Sequence, residues 1–289
     1  MATGGVERPT EVARLSHGLM EYRLERRGPR TVLMMHGGHM RASLPLGEEA
    51  FAEAGFMILA PSRPGYGRTS ITTEGFCDAV AELCERLGIG SVAAVVGQSA
   101  GGLSAVTLAA RCPALVERLI LQSAVGPLAW PDRWTRLGSG LAFGPRTERL
   151  TWGLMHMLVR RRPALALRLL MHDLSVEPAL AELAESHRAL ALELFERMRS
   201  GSGFSADLRD LRDIEAYRET AAGVGQAALV IASPKDGAVP FSHARVLAGL
   251  LPNARLITSR ASSHFVWFGD DYPGIAETIV GFLDEDSAG

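Results

Sequence analysis

The chain has 289 residues, enough for one large domain or two modest ones around a sizeable core. Hydrophobic residues at 47% and charged residues at 21% place it among globular chains and exclude a disordered one. Thirty Lys and Arg against 32 Asp and Glu leave a net charge of −2, so there is no global basic field and nucleic acid is excluded as the expected partner. Cys77, Cys84 and Cys112 form an odd set without a C-x-x-C pair, which suits neither a disulfide framework nor a zinc site. Free thiols point to a reducing cytoplasm. Met1 to Arg30 is polar and lacks the apolar run of a secretory signal, and no long uncharged apolar run occurs elsewhere. A cytoplasmic location without membrane association is the expectation.

In chain order, Gly18 to Arg26 has the pattern of an early strand, and Thr31–Met35 that of a buried one. Ala50–Ala54 ends a helix, and Phe56–Ala60 is a second buried strand. Thr73–Leu87 carries Phe76, Val80, Leu83, Cys84 and Leu87 at helical spacing. Ser91–Val96 is a strand, Ser99–Arg111 a helix ended by Pro113, and Arg118–Gln122 a further strand. Short continuous apolar runs alternating with helices indicate a parallel sheet covered on both faces. From Pro127 to about Gly223 only helical periodicity is visible. Strands then return at Ala227–Ala232 and Arg255–Thr258, with helices expected over Ser242–Leu251 and Tyr272–Leu283. The expected organisation is an α/β core from residues 1–125 and 224–289, split by a helical cap over residues 126–223.

Gly97-Gln98-Ser99-Ala100-Gly101 fits G-x-S-x-G. It directly follows a strand and opens a helix, as a nucleophile elbow requires. Gly97 and Gly101 lack the Cβ atoms that would crowd so sharp a turn. The helix N-terminus leaves amides free near the serine oxygen, notably that of Ala100. A nucleophilic serine needs a base and an orienting acid. His264 lies in a loop after the final strand, and Asp236 in the turn after Ala227–Ala232, level with the elbow. The strand ending in Gln122-Ser123 offers no carboxylate, which favours Asp236 as the acid. The Gly-rich loop His36-Gly37-Gly38-His39 follows a buried strand and can aim the Gly38 amide at a developing oxyanion. His36 reads as a brace for that loop.

Together these motifs resemble the α/β-hydrolase superfamily, in its capped bacterial form. The matching residues are His36-Gly37-Gly38, Gly97-Gln98-Ser99-Ala100-Gly101-Gly102, Pro234-Lys235-Asp236-Gly237-Ala238-Val239-Pro240 and Ser263-His264-Phe265. Ser62-Arg63-Pro64-Gly65-Tyr66-Gly67-Arg68-Thr69 is similar to the family's turn after the next strand, with Ser62 or Pro61 where an Asp usually leads. The resemblance implies an α/β-hydrolase fold: a mostly parallel eight-stranded sheet flanked by helices, with an inserted helical cap over the serine. His39 stands where the H-G-G-G lipases and esterases have Gly, so that subgroup is not assigned. A serine nucleophile argues against the dehalogenases and epoxide hydrolases, which attack through a carboxylate.

The expected activity is a cofactor-independent and metal-independent serine hydrolase, acting on an ester or related acyl bond of a small apolar molecule. Ser99 is its nucleophile, His264 its base and Asp236 the orienting acid; the amides of Gly38 and Ala100 form the oxyanion hole. Carbon–carbon bond hydrolysis, lactone opening and perhydrolysis use the same triad and stay open, as does a ligand-binding protein on a hydrolase fold. Trp130, Trp134, Phe143, Met155 and Met157 are the candidate lining of an apolar pocket between cap and elbow. Charge in the insertion is uneven. Arg133 to Arg168 holds eight arginines and one acid, Glu148, while Asp173 to Glu219 is acidic. The two halves are expected to pair; the alternative is a basic amphipathic stretch that meets anionic substrates or a lipid surface. The oligomeric state is not legible.

Overall fold

The computed structural model describes residues 6–131, 133–144, 146–176 and 183–285, without the side chains of Arg133, Trp134, Leu137 and Asp173. Eight strands form one sheet: β1 (Glu11–Leu15), β2 (Gly18–Glu25), β3 (Thr31–Met35), β4 (Met57–Pro61), β5 (Ala94–Gln98), β6 (Arg118–Gln122), β7 (Ala227–Ala232) and β8 (Ala254–Thr258). Their spatial order is β1-β2-β4-β3-β5-β6-β7-β8. β2 pairs antiparallel with both β1 and β4, and the remaining pairs are parallel. The mostly parallel, eight-stranded sheet that the resemblance implies is therefore present.

The central strands are buried on both faces, which is why they read as continuous apolar runs. Alternation still sorts their side chains. Leu33 and Met35 enter one core cluster with helices α2 (Thr73–Arg86) and α3 (Gly101–Arg111). Val32 and Met34 enter another, with Phe51 of α1 (Glu49–Glu53) and Ile275, Ile279 and Phe282 of α11 (Tyr272–Asp284). β1 escapes the sequence pattern because Glu11–Leu15 mixes charged and apolar residues on an exposed sheet edge.

β5 begins three residues later than its apolar run suggests and extends through Gly97 and Gln98, which pair with Met35 and Gln122. Ser99 then has φ of +51°, outside the right-handed helical region, so α3 starts at Gly101 and not at Ser99.

Between β6 and β7 lie α4 (Arg133–Ala142), α5 (Glu148–Arg161), α6 (Pro163–Leu174), α7 (Glu185–Arg197), α8 (Gly203–Asp210) and α9 (Ile214–Ala222). α5, α6 and α7 pack on one another around Trp152, Val159, Leu167, Met171, Leu194 and Phe195. That cluster also contains Met40, Leu44 and Leu46 of the loop after β3, and Phe265 to Phe268 behind His264. α9 behaves differently. It packs on α3 and on α10 (Ser242–Leu250), and Tyr217 donates to the Val125 carbonyl at 2.9 Å. The helical stretch from residue 126 to 223 thus ends in a helix that covers the sheet.

The elbow is the tightest point. A Cβ on Gly101 would stand 2.3 Å from the Met35 carbonyl oxygen and 2.5 Å from that of His36, both backbone atoms. Gly153, exposed on α5, would meet nothing within 4 Å. Gly101→Ala is therefore expected to cost about 3 kcal/mol or more through forced overpacking. Gly153→Ala is expected to stabilise by up to about 1 kcal/mol through helix propensity. Urea denaturation of the two variants beside the parent checks both signs.

Candidate active site

Ser99 sits at the C-terminal edge of the sheet, held by backbone bonds. Its amide donates to the Gln122 carbonyl at 3.1 Å, and its carbonyl accepts from Gly102 at 3.1 Å and Val125 at 2.9 Å. These bonds hold it in its left-handed conformation, with the side chain partly accessible. A Cβ on Gly37 would lie 3.2 Å from the Ser99 Cβ, so the loop after β3 runs directly alongside the serine. Among the described residues no protein acceptor engages the amides of Gly38 or Ala100.

Asp236 and His264 are brought together. His264 Nδ1 lies 2.7 Å from Asp236 Oδ2. The other carboxylate oxygen, Oδ1, accepts from the amides of Ala238 at 2.9 Å and Val239 at 2.8 Å. Both side chains are buried, that of Asp236 completely. The carboxylate thus has fixed partners on both oxygens, and the imidazole is fixed in orientation by one of them. The base loop is pinned as well. Ser123, also left-handed at φ +48°, donates its hydroxyl to the His264 carbonyl at 2.7 Å, and the His264 amide donates to Leu174 at 2.8 Å. Among the described residues no hydrogen bond joins Ser99 Oγ to His264.

The end of α6 abuts the acid turn. Val176 donates to the Lys235 carbonyl, and Gly237 to that of Leu174. A Cβ on Gly237 would stand 2.7 Å from Ser175 backbone, so glycine is what admits this approach. The helical layer is consequently bonded to both Asp236 and His264 segments.

His36 is buried and braces its loop: its Nε2 accepts from the Arg63 amide at 3.0 Å, which leaves Nδ1 to donate to the Gly37 carbonyl at 2.8 Å. Burial, aided by Arg63, keeps its imidazole neutral well below the usual histidine range. Arg63 itself is buried. It donates from Nε to the His36 carbonyl at 2.7 Å and makes a two-pronged ion pair with Asp207 of α8, at 2.5 and 2.9 Å. Tyr66 donates to the same carboxylate at 2.6 Å. Sequence reading missed Asp207, which looks like a surface acid on an amphipathic helix. The turn's missing leading Asp is also resolved. Pro61 ends β4, and Ser62 holds the position: its hydroxyl accepts from the Ala42 amide and donates to Glu21 of β2, both at 2.9 Å.

An aromatic wall stands over the loop. His39, at φ +63°, packs its ring 4.1 Å from that of Phe204, 4.6 Å from Phe143 and 5.3 Å from Trp152. Its Nδ1 meets Ser200 Oγ at 2.7 Å, and the same hydroxyl accepts from Trp152 Nε1 at 2.8 Å. Burial and the nearby Arg63 push the His39 pKa down to about 3. Trp130 is buried edge-on to Phe204 and donates Nε1 to the Ala238 carbonyl at 2.7 Å.

Of the expected lining residues, Trp130 and Phe143 thus belong to this wall, joined by Trp152 and Phe204 from outside that set. Met155 packs half-buried among α5–α7. Met157 is a correction: it is 40% exposed on the opposite face of α5, because that face is the helix's outer one. The side chain of Trp134 lies outside the described residues. His243 is buried, and its Nδ1 meets the Gly126 backbone at 3.1 Å. A cavity of about 90 Å³ lies behind the elbow between Arg63, Cys77, Ala100, Asp207 and Asp210; neither Ser99 nor His264 lines it.

The chain belongs to the alpha/beta hydrolase fold family, whose model matches residues 30–271. It is similar to the uncharacterized hydrolase YcgS of Bacillus subtilis (strain 168), 31% identical over 294 residues that span 96% of this chain and 100% of that one. Among solved structures it resembles an alpha/beta hydrolase fold protein from Nakamurella multipartita, with a TM-score of 0.72 at 19% identity over 95% of this chain and 99% of that one. The enol-lactonase from Burkholderia xenovorans LB400 superposes with a TM-score of 0.67 at 21% identity, over 95% of this chain and 100% of that one. These two likenesses concern the fold. No helix among the described residues is long and apolar enough to cross a membrane.

The Arg63–Asp207 pair gives a stability test. Asp207→Asn leaves the Arg63 charge buried without its partner and is expected to cost about 3–5 kcal/mol. The double variant Arg63→Met/Asp207→Leu removes both charges and is expected to cost less than the single one. Denaturant midpoints of the three proteins check the order.

Proposed function

We propose that the chain is a serine hydrolase that cleaves an ester or related acyl bond, lactones included, of a small and largely apolar molecule. The observation that carries this reading is the Asp236–His264 bond, with the carboxylate's second oxygen held by two amides, beside a serine on a strained strand-to-helix turn. In this mechanism Ser99 Oγ attacks the acyl carbonyl carbon while His264 Nε2 takes the hydroxyl proton. Asp236 keeps His264 in the Nδ1–H tautomer and stabilises the imidazolium. The amides of Gly38 and Ala100 hold the oxyanion. Collapse of the tetrahedral intermediate expels the alcohol, which leaves with the proton from His264. Water, deprotonated by the same imidazole, then attacks the acyl-enzyme; release of the acid restores Ser99. The Ser99–His264 hydrogen bond is assigned to the substrate complex, since such bonds tighten there.

The wall of His39, Phe143, Trp130 and Phe204 supports an apolar acyl or alcohol group in the substrate. We assign the lid role to the helices between residues 126 and 223, with α9 serving the sheet. Burial pushes the pKa of the Cys77 and Cys84 thiols up to about 12; that all three cysteines are free supports action in the cytoplasm.

Short p-nitrophenyl esters are the test substrates. Ser99→Ala is expected to lower kcat by about 10³-fold or more, and Asp236→Asn by a comparable factor, with the far-UV spectrum retained. Turnover that persists in purified Ser99→Ala would refute the reading.

A further inference from the structure

The outer side of the helical layer has an unusual surface. Nine large apolar side chains are exposed among the described residues, and seven of them lie between residues 141 and 176. On α5 they are Leu150, Leu154 and Met157, spaced as one helical face; Leu150 is 66% exposed. On α6 they are Leu165 and Leu169. The opposite faces of both helices, with Trp152, Val159, Ala166, Leu167 and Met171, are buried in one shared cluster. The two exposed rows therefore lie on the outer side of the same packed layer. A patch of this kind, concentrated and not scattered, marks an interaction surface.

Its charge identifies the partner. Arg149, Arg161, Arg162 and Arg168 flank the two rows, with Arg146 just ahead of α5, and all five are exposed. Among the described residues none of them makes an ion pair; of the arginines on these two helices, Arg160 reaches an acid, Glu196, at 3.5 Å. Among the described residues, the expected pairing of basic and acidic halves thus amounts to one exposed contact. Glu148, the acid within the basic stretch, is buried and accepts from the amides of Ser200 and Gly201, so it does not offset the arginines at the surface.

An apolar row rimmed by unpaired arginines fits a phase that is apolar within and anionic at its surface. A symmetric contact between two copies would instead set the arginines against themselves. We propose that the outer face of α5 and α6 seats on the anionic surface of a lipid bilayer, with the leucines in the headgroup boundary and the arginines among the lipid phosphates. This reverses the expectation drawn from sequence. It holds whether or not Ser99 is a nucleophile, and no helix needs to span the bilayer.

Co-sedimentation of the whole protein with vesicles tests it. The protein is expected to pellet with phosphatidylglycerol vesicles at low salt, to be released at high salt, and to stay in solution with phosphatidylcholine alone. Arg161→Gln/Arg162→Gln/Arg168→Gln should weaken binding by about fivefold per arginine. Leu154→Gln/Leu169→Gln should weaken it by about tenfold or more. Both sets are exposed, so melting temperature and hydrolysis of soluble esters should be unchanged. Absence of binding to anionic vesicles, or equal binding to both lipids, overturns the proposal. So does a dimer in sedimentation velocity that the leucine variant dissolves, because a second copy then covers the face.

Discussion

The close approach of α3 to the end of β3 governs this molecule. At Gly101 the helix backbone passes so near the Met35 and His36 carbonyls that no side chain fits. That contact fixes where the helix starts and forces the preceding serine into a left-handed conformation. It also lays the His36–His39 loop beside Ser99. A strained residue persists only where its surroundings over-determine it. Here the backbone bonds of Ser99 to Gln122, Gly102 and Val125 do so, tying β5, β6 and α3 to one point.

Around that point the structure is braced in layers. The His36–Arg63–Asp207–Tyr66 network sets the loop beside Ser99 against α8. Its energetic logic is that of a buried ion pair: costly to desolvate, and costlier to break on one side. The His39–Ser200–Trp152 chain does the same for α5. On the other side, the end of α6 is hydrogen-bonded to the turns that carry Asp236 and His264. The helical layer is thus attached to the loops on both sides of the serine. A change in its position would be felt at the loop amides and at the imidazole together.

Much of the candidate site was legible because its grammar is local. G-x-S-x-G after a strand, an Asp in the turn after β7 and a His in the loop after β8 are short-range signals, and the structure brings Asp236 and His264 into contact. The buried strands were legible for the same reason, as apolar runs. What stayed hidden depends on distant partners. Asp207 lies 144 residues from Arg63, and nothing near it in sequence marks it as buried. Glu21 supplies from β2 the carboxylate that the turn at Ser62 lacks. Ser123 reads as a turn residue, yet it pins the His264 carbonyl. The faces of α5 were misjudged at Met157 because Trp and Met at helical spacing mark an amphipathic helix without saying which side meets the core.

In the proposed function, the strained turn and the Asp236–His264 pair make Ser99 a nucleophile. The most direct measurement is covalent labelling with a fluorophosphonate, with the adduct located by peptide mass spectrometry. A single adduct on Ser99, lost when the protein is unfolded and slowed strongly in His264→Gln, is the predicted result. A folded protein that stays unlabelled, or that carries its adduct on another residue, would rule out Ser99 as the nucleophile.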